Sequence, residues 1–194
     1  MINILLLIDV LLIFLLVFSV VIRSIYYKIP IFGKPPVNVF FFISAKMMVV
    51  VSLAFFVMRG FNIKFYSFFD PGSALQVVAL ILLMTGTAML YITTFQLNKY
   101  LIFGLSESEE HHLQTSGLFA FSRHPFYLGF ILILFSACLF YPNPVNIIAF
   151  LGAWTIHHFI MIEEEKFLGS VYGETYKRYK MNVGRYITLK IKKS

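Results

Sequence analysis

This chain of 194 residues contains a single cysteine and none of the common short motifs for metals or phosphates. With only Cys138, a disulfide within the chain is excluded, and a thiol inside an apolar run is expected to pack as a small hydrophobic side chain. CxxC, HExxH, GxGxxG and P-loop patterns are all absent. The sequence therefore predicts no metal site and gives no sign of a dinucleotide or P-loop fold.

Charged residues are few, at 13% of the chain, whereas 59% are hydrophobic and the mean hydropathy is +0.83. A soluble domain is roughly half apolar. The composition thus predicts an all-α, polytopic integral membrane protein. The formal charge of +7 would also suit nucleic-acid binding, so the positions of the charges decide what they do.

Five apolar segments are expected to form helices in the membrane. They cover residues 4–22, 37–58, 74–97, 126–141 and 145–162. The first is interpreted as a retained span, because Asn3 and Asp9 stand where a signal peptide would be positive. The fourth would be only about 24 Å long, against ~30 Å for the hydrocarbon core. The last two segments are therefore predicted to form a helical hairpin that need not cross the whole bilayer.

The distribution of lysine and arginine predicts the orientation. Loop 23–36 carries three of them, segment 98–123 two and the tail 166–194 eight, and with five spans these regions share one face. The other face has only Arg59 and Lys64. Because basic loops stay in the cytosol, the C-terminus and the polar clusters are predicted to be cytosolic. The positive charge then orients the protein in the membrane, which argues against a nucleic-acid partner.

Four polar clusters lie at this predicted cytosolic edge, in stretches 107–114, 123–127, 157–165 and 172–185. Ionisable groups at the membrane edge are functional candidates by default, since burying them there is unfavourable. Arg123 could pair with a carboxylate of 163–165. The alternative is that such pairs only anchor the hairpin. Tyrosines 172, 176 and 179, and His157 and His158, are expected to pack or cap rather than to react. Lys46 would snorkel or pair across helices.

Two stretches resemble the two-part signature of one enzyme family. Residues 117–129 are similar to G-x-[YF]-x-x-x-R-H-P-x-Y-x-G, and residues 164–179 to E-E-x-x-L-x-x-x-[FY]-G-x-x-Y-x-x-Y. Together they resemble the isoprenylcysteine carboxyl methyltransferases, integral-membrane enzymes that use S-adenosylmethionine. The same module occurs in phospholipid methyltransferases. The resemblance implies one domain over 1–194, with three N-terminal spans in 1–97 and a cofactor-binding module with hairpin and amphipathic tail in 98–194.

The resemblance also implies the site residues. The cofactor would be bound by His111, His112, Leu113, Gln114, Phe119, His124, Pro125, Phe126, Tyr127 and Glu164, with Arg123 and Glu165 as catalytic residues. Phe119 stands where many members have tyrosine. The acceptor would be a prenylated cysteine peptide or protein that enters from the bilayer, and its α-carboxylate would become a methyl ester.

The chemistry of these residue types agrees with that assignment. Glu164 suits the ammonium or ribose hydroxyls of S-adenosylmethionine, Arg123 or His124 its carboxylate, and aromatic residues its adenine. A carboxylate acceptor is already ionised at neutral pH, so the transfer needs no general base and no metal. Positioning and removal of water would supply the catalysis.

Three alternatives stay open from the sequence. The first is a phospholipid or other small-lipid N-methyltransferase, whose acceptor is an amine. The second is a non-catalytic membrane protein in which the charged residues only anchor helices. A nicotinamide-dependent reductase is a distant third.

Overall fold

A computed structural model describes residues 1–105 and 112–188, and these residues are helical with short connections. The helices are α1 (Ile2–Tyr27), α2 (Val39–Gly60), α3 (Ser73–Leu97), α4 (Pro125–Phe140) and α5 (Pro144–Asn182). In the described ranges, four of them are long and apolar enough to cross a membrane, and α4 is shorter, at 16 residues. The prediction of an all-α polytopic membrane protein is confirmed.

Two hydrogen bonds from polar side chains inside the bundle connect neighbouring helices. Thr87 of α3 donates a hydrogen bond of 2.7 Å to the buried carboxyl of Asp9 on α1. Ser136 of α4 donates one of 2.7 Å to the carbonyl of Ala79 on α3. Lipid offers no hydrogen-bond partners, so such pairs tie the helices together.

Helices α3 and α4 pack most extensively, and two glycines allow their backbones to approach closely. A Cβ atom on Gly86 would lie 2.7 Å from the Gly129 carbonyl oxygen and 2.8 Å from the Ile133 side chain. A Cβ atom on Gly129 would in turn lie 2.9 Å from the Gly86 carbonyl oxygen. Because the obstacle is largely backbone, a side chain here forces the helices apart.

Gly86→Ala should therefore lower the free energy of unfolding by about 1–3 kcal/mol through overpacking. Gly72→Ala is the matched control, because Gly72 has φ −62 and a Cβ there would meet no described atom within 4 Å. Thermal unfolding in detergent checks this. Equal unfolding midpoints for the two variants would contradict the close approach of the α3 and α4 backbones at Gly86.

Helix α5 continues well past the predicted end of the fifth span at residue 162. It has 39 residues, and the part before Gly173 alone would extend about 43 Å, which exceeds the ~30 Å of a hydrocarbon core. The end of the span at Ile162 stays a prediction, because the charged residues that follow can leave the apolar layer without leaving the helix. The helix bends at Gly173, whose φ of 51 and ψ of −125 favour glycine.

The polar connections meet at one end of the bundle, here called the charged end: segments 28–38, 98–105 and 112–124 together with residues 163–188. Two short backbone pairings join loop α1–α2 to the segment 98–105 at this end. Lys34 N donates to Leu105 O at 3.0 Å and Leu105 N to Lys34 O at 2.9 Å, and Gly33 N donates to Phe103 O at 3.0 Å. Loop α1–α2 is thereby fixed beside the segment that follows α3.

The opposite end of the hairpin is a tight turn, as predicted from Pro142, Asn143 and Pro144. The buried Asn143 side chain caps α5 by accepting from Asn146 N at 3.0 Å, with Pro144 at the first helical position. The turn sets α4 antiparallel to α5, so the start of α4 lies beside the charged part of α5.

Candidate active site

The start of α4 presents its polar residues in a defined arrangement. Buried Ser122 accepts a hydrogen bond of 3.1 Å from His124 N and donates one of 3.1 Å to the Arg185 carbonyl. Pro125 then occupies the first helical position, where its missing N–H costs nothing. This local geometry turns the side chains of Arg123 and His124 toward α5.

Glu165 is a buried carboxylate surrounded by cationic groups, with a side chain only 3% exposed. Its oxygens lie 2.8 Å from Arg123 Nη2 and 2.7 and 3.1 Å from two nitrogens of Arg185. Lys180 Nζ and His124 Nε2 each lie 3.4 Å away. The expected pairing of Arg123 with a carboxylate is thus present, in a network whose geometry suits burial.

This network joins the chain beyond α5 to the start of α4. Arg123 Nη1 also donates to the carbonyls of Lys180 and Val183, both at 3.1 Å. The hydrogen bond to Glu165 raises the pKa of Arg185, with burial opposing it, so this guanidinium stays charged. The sequence left the role of Arg185 open, and the contacts show it fixing segment 183–188.

Glu164 points away from that network toward a cavity. Neighbouring helical residues differ by about 100° in direction, so Glu164 and Glu165 have different surroundings. The Tyr127 hydroxyl donates a hydrogen bond of 2.6 Å to Glu164, and His124 Nδ1 lies 3.6 Å from its other oxygen. Tyr127 and His124 thereby hold the carboxylate in one orientation.

The cavity has a volume of about 880 Å³ and lies at the charged end. Glu164 and Tyr172 of α5 form one side, Tyr100 and His112 another, and loop α1–α2 contributes Lys28 and Lys34. The volume falls within the range of about 300–1,000 Å³ that is typical of small-molecule sites. A carboxylate, ammonium groups and aromatic rings therefore face one space.

The predicted cofactor residues differ in their relation to this cavity. His112 and Glu164 line it, and His124 and Tyr127 contact Glu164 from the protein side. His111 lies outside the described residues. These placements leave the predicted cofactor roles as predictions.

The other predicted residues are outside the cavity wall. Leu113 and Gln114 are half-buried beside it, and Phe119 is buried with its carbonyl accepting from Tyr179 Oη at 2.7 Å. Phe126 packs its ring 5.3 Å from that of Phe103, and Pro125 is buried at the helix start. The predicted catalytic pair Arg123 and Glu165 also lies behind the wall, so its part in catalysis stays a prediction.

Sequence reasoning missed the N-terminal contribution to the cavity. Loop residues 28–30 and 32–35 line it, although the first two spans carry no identifying motif. The three prolines and two lysines of this loop predict a rigid, basic connection between two helices. They do not indicate that the loop lines a cavity. Leu168 and Tyr172 also line the cavity, and both belong to the second half of the family signature.

The bundle combines helices that are long and apolar enough to cross a membrane with a charged cavity at one end. The chain belongs to the phospholipid methyltransferase family, whose model matches residues 72–175, more than half of the chain. The family resemblance predicted from the two motifs is confirmed.

Three curated relatives show the range of the family. Methanethiol S-methyltransferase 1 of Bradyrhizobium diazoefficiens is 30% identical over 128 residues, which are 61% of this chain and 43% of that protein. Protein-S-isoprenylcysteine O-methyltransferase of Dictyostelium discoideum is 33% identical over 76 residues, 39% of this chain and 32% of that protein. The enzyme of that name from Schizosaccharomyces pombe is 31% identical over 83 residues, which are 42% of this chain and 35% of that protein. The chain spans less than half the length of each relative. No solved structure matches it.

Proposed function

We propose that the protein transfers the methyl group of S-adenosylmethionine to the α-carboxylate of a C-terminal prenylated cysteine, forming a methyl ester. The observation that carries the proposal is the Glu164 carboxylate, held by Tyr127 at 2.6 Å in the wall of a cavity of about 880 Å³. The family membership and the isoprenylcysteine methyltransferase relatives support it.

The residues of the cavity fit S-adenosylmethionine. Glu164 suits its ammonium or ribose hydroxyls, Lys28 and Lys34 its carboxylate, and the rings of Tyr100 and Tyr172 its adenine. Lys28 and Lys34 replace Arg123 and His124 in this assignment, because those two face Glu165 and Glu164. When bound, the cofactor supplies an electrophilic methyl group on a sulfonium.

The chain's part in the reaction is to bind, align and exclude water. An oxygen–carbon bond forms as the carbon–sulfur bond breaks, and the bonding pair stays on sulfur, so an anion and a cation become two neutral products. No proton has to move. The protein contributes by holding the acceptor in line with the methyl group in a dry site.

The surface of the bundle supports an acceptor that comes from the bilayer. A groove of about 490 Å³ between α2 and α5 is lined by apolar side chains, among them the exposed Phe40, Ile43 and Ile148. An apolar chain lying in the membrane can reach the bundle along it. The lysine and arginine distribution favours a cytosolic charged end, which is where the carboxylate of such an acceptor would lie.

A small thiol is the second candidate acceptor. The methanethiol S-methyltransferase match extends over 61% of the chain, against 39% for the isoprenylcysteine methyltransferase of Dictyostelium discoideum. A thiolate is, like a carboxylate, an anionic nucleophile, so the same cavity would serve. Its product would be a thioether.

The test supplies purified protein with methyl-tritiated S-adenosylmethionine and three acceptors in turn: a farnesylated cysteine analogue, methanethiol and phosphatidylethanolamine. We expect base-labile label, released as methanol, with the first acceptor. Stable label on the thiol or on the amine would replace the proposed acceptor by that class. No label on any acceptor, with intact protein, would contradict the proposed function.

A further inference from the structure

Lys46 places an ammonium group inside the bundle without a hydrogen bond or a close ion pair among the described residues. Its nitrogen is buried and makes no hydrogen bond within that part of the chain. It lies 4.6 Å from the centroid of the Phe42 ring, 5.6 Å from that of Phe103 and 6.0 Å from that of Tyr127. Ring faces attract a cation but leave its charge uncompensated. An unpaired charge at this depth is strongly unfavourable unless a partner arrives.

His157 of α5 adds a second polar group without a partner at the same level. Its side chain is fully buried, and neither ring nitrogen has a hydrogen-bond partner within the described residues. Its ring centroid lies 5.2 Å from that of Tyr127, and Lys46 interacts electrostatically with both His157 and Glu164. More than about 90% of buried polar groups have a partner. Two facing helices thus bring the Lys46 ammonium and the His157 imidazole beside the same tyrosine ring.

Lys46 and His157 lie on the membrane side of the cavity. Helix α5 runs toward the charged end, so His157 precedes Glu164 by seven residues, or about 10 Å. Tyr127 connects the two levels, with its ring beside His157 and its hydroxyl on Glu164. Lys46 and His157 thus lie deeper in the bundle than the cavity wall at Glu164.

The arginines at the charged end near Glu165 are already engaged. Arg123 and Arg185 both bind Glu165, and Lys180 lies 3.4 Å from it. Lys28 and Lys34 belong to the cavity wall. An anion at the depth of His157 thus has Lys46 as its nearest counter-charge on α2.

We propose that Lys46 binds the anionic nucleophile of the methyl acceptor, a carboxylate or a thiolate, with the imidazole of His157 as a hydrogen-bond donor. The inference rests on the proposed methyl transfer and adds the residue that selects the acceptor class. An amine acceptor is repelled by Lys46, whereas an anion removes the unpaired charge. Lys46 precedes residues 72–175, the range that the family model matches. The residue that selects the acceptor would then lie in the N-terminal half of the chain.

The experiment measures equilibrium binding of a farnesylated cysteine analogue and of its neutral amide, without cofactor, to the full-length protein in detergent. The wild type should bind the acid at least about tenfold more tightly than the amide. Lys46→Met should reduce this preference to about twofold or less, and Lys46→Arg should restore most of it. The affinity for S-adenosylhomocysteine should stay within about threefold in both variants, because the cofactor cavity is unchanged.

Lys177→Met is the matched control, since Lys177 is exposed and pairs only with Glu174 among the described residues. It should keep both affinities. Equal binding of acid and amide by the wild type, no binding of the acid, or a preference that survives Lys46→Met would overturn the proposal. If a variant fails to fold, the comparison of acid and amide binding by the wild-type protein still tests the proposal. Loss of the proposed function would appear separately, as wild-type protein that neither binds S-adenosylhomocysteine nor forms methylated product.

Discussion

Glu164→Ala should abolish measurable binding of S-adenosylhomocysteine. The carboxylate lies in the cavity wall with a side chain 18% exposed, and its Tyr127 partner would lose its acceptor. Removing one member of a buried, hydrogen-bonded charged contact costs about 2–5 kcal/mol, or roughly 30- to 4,000-fold in affinity. Titration calorimetry of the purified protein measures the effect.

The neighbouring glutamate gives a matched control for that variant. Glu163 has a side chain 39% exposed and an ion pair of 2.7 Å with Lys166. Because it lies outside the cavity wall, Glu163→Ala should change the affinity by no more than about twofold. Unchanged heat for Glu164→Ala, or an equal loss in both variants, would contradict the assignment of the cofactor to this carboxylate.

Glu165→Gln should destabilise the protein by about 3–5 kcal/mol, because it leaves the buried Arg123 guanidinium without its counter-ion. The Arg123 side chain is only 8% exposed, and the Arg185 and Lys180 contacts are lost with it. Thermal unfolding in detergent measures the loss. Trypsin should also cleave after Lys180 and Arg185 sooner, since segment 183–188 is no longer fixed to α4.

Glu163→Gln is again the control and should stay within about 0.5 kcal/mol of the wild type, as most exposed substitutions do. If Glu165→Gln unfolds at the wild-type temperature, the network around Glu165 adds nothing to stability. The predicted catalytic role of Arg123 and Glu165 would then become the better account of why the two residues are paired.

The sequence predicted the helices and the pairing of the two motifs, and the reasons are local. Long apolar runs mark spans, and Pro142 and Pro144 mark the turn that brings the motif at 123–127 beside the motif at 164–168. The sequence suggested two interpretations of the charged cluster, an anchoring role and a cofactor-binding role, and its two glutamates differ in surroundings. Glu165 forms the anchoring network, whereas Glu164 faces the cavity, and one helical step separates the two surroundings.

The parts that escaped prediction depend on long-range packing. Loop α1–α2 lines the cavity because Gly33 and Lys34 pair with residues 70 or so positions away, which no local pattern indicates. The extension of α5 was missed because hydropathy ends at Ile162 while helical backbone does not. Lys46 was expected to snorkel or to pair across helices, and His157 to pack or cap, since only the packed bundle shows a buried Lys46 nitrogen without a hydrogen bond to a described residue.

The most direct test of the account is the position of the bound methyl donor. Purified protein is irradiated with ultraviolet light in the presence of methyl-tritiated S-adenosylmethionine, and labelled peptides are identified by mass spectrometry. We expect label in the peptides that contribute to the cavity wall, which are residues 28–35, 97–105, 112 and 164–172, and its loss when excess S-adenosylhomocysteine competes. Label that competes away but lies in other peptides, or no competable label at all, would contradict the cavity beside Glu164 as the cofactor site.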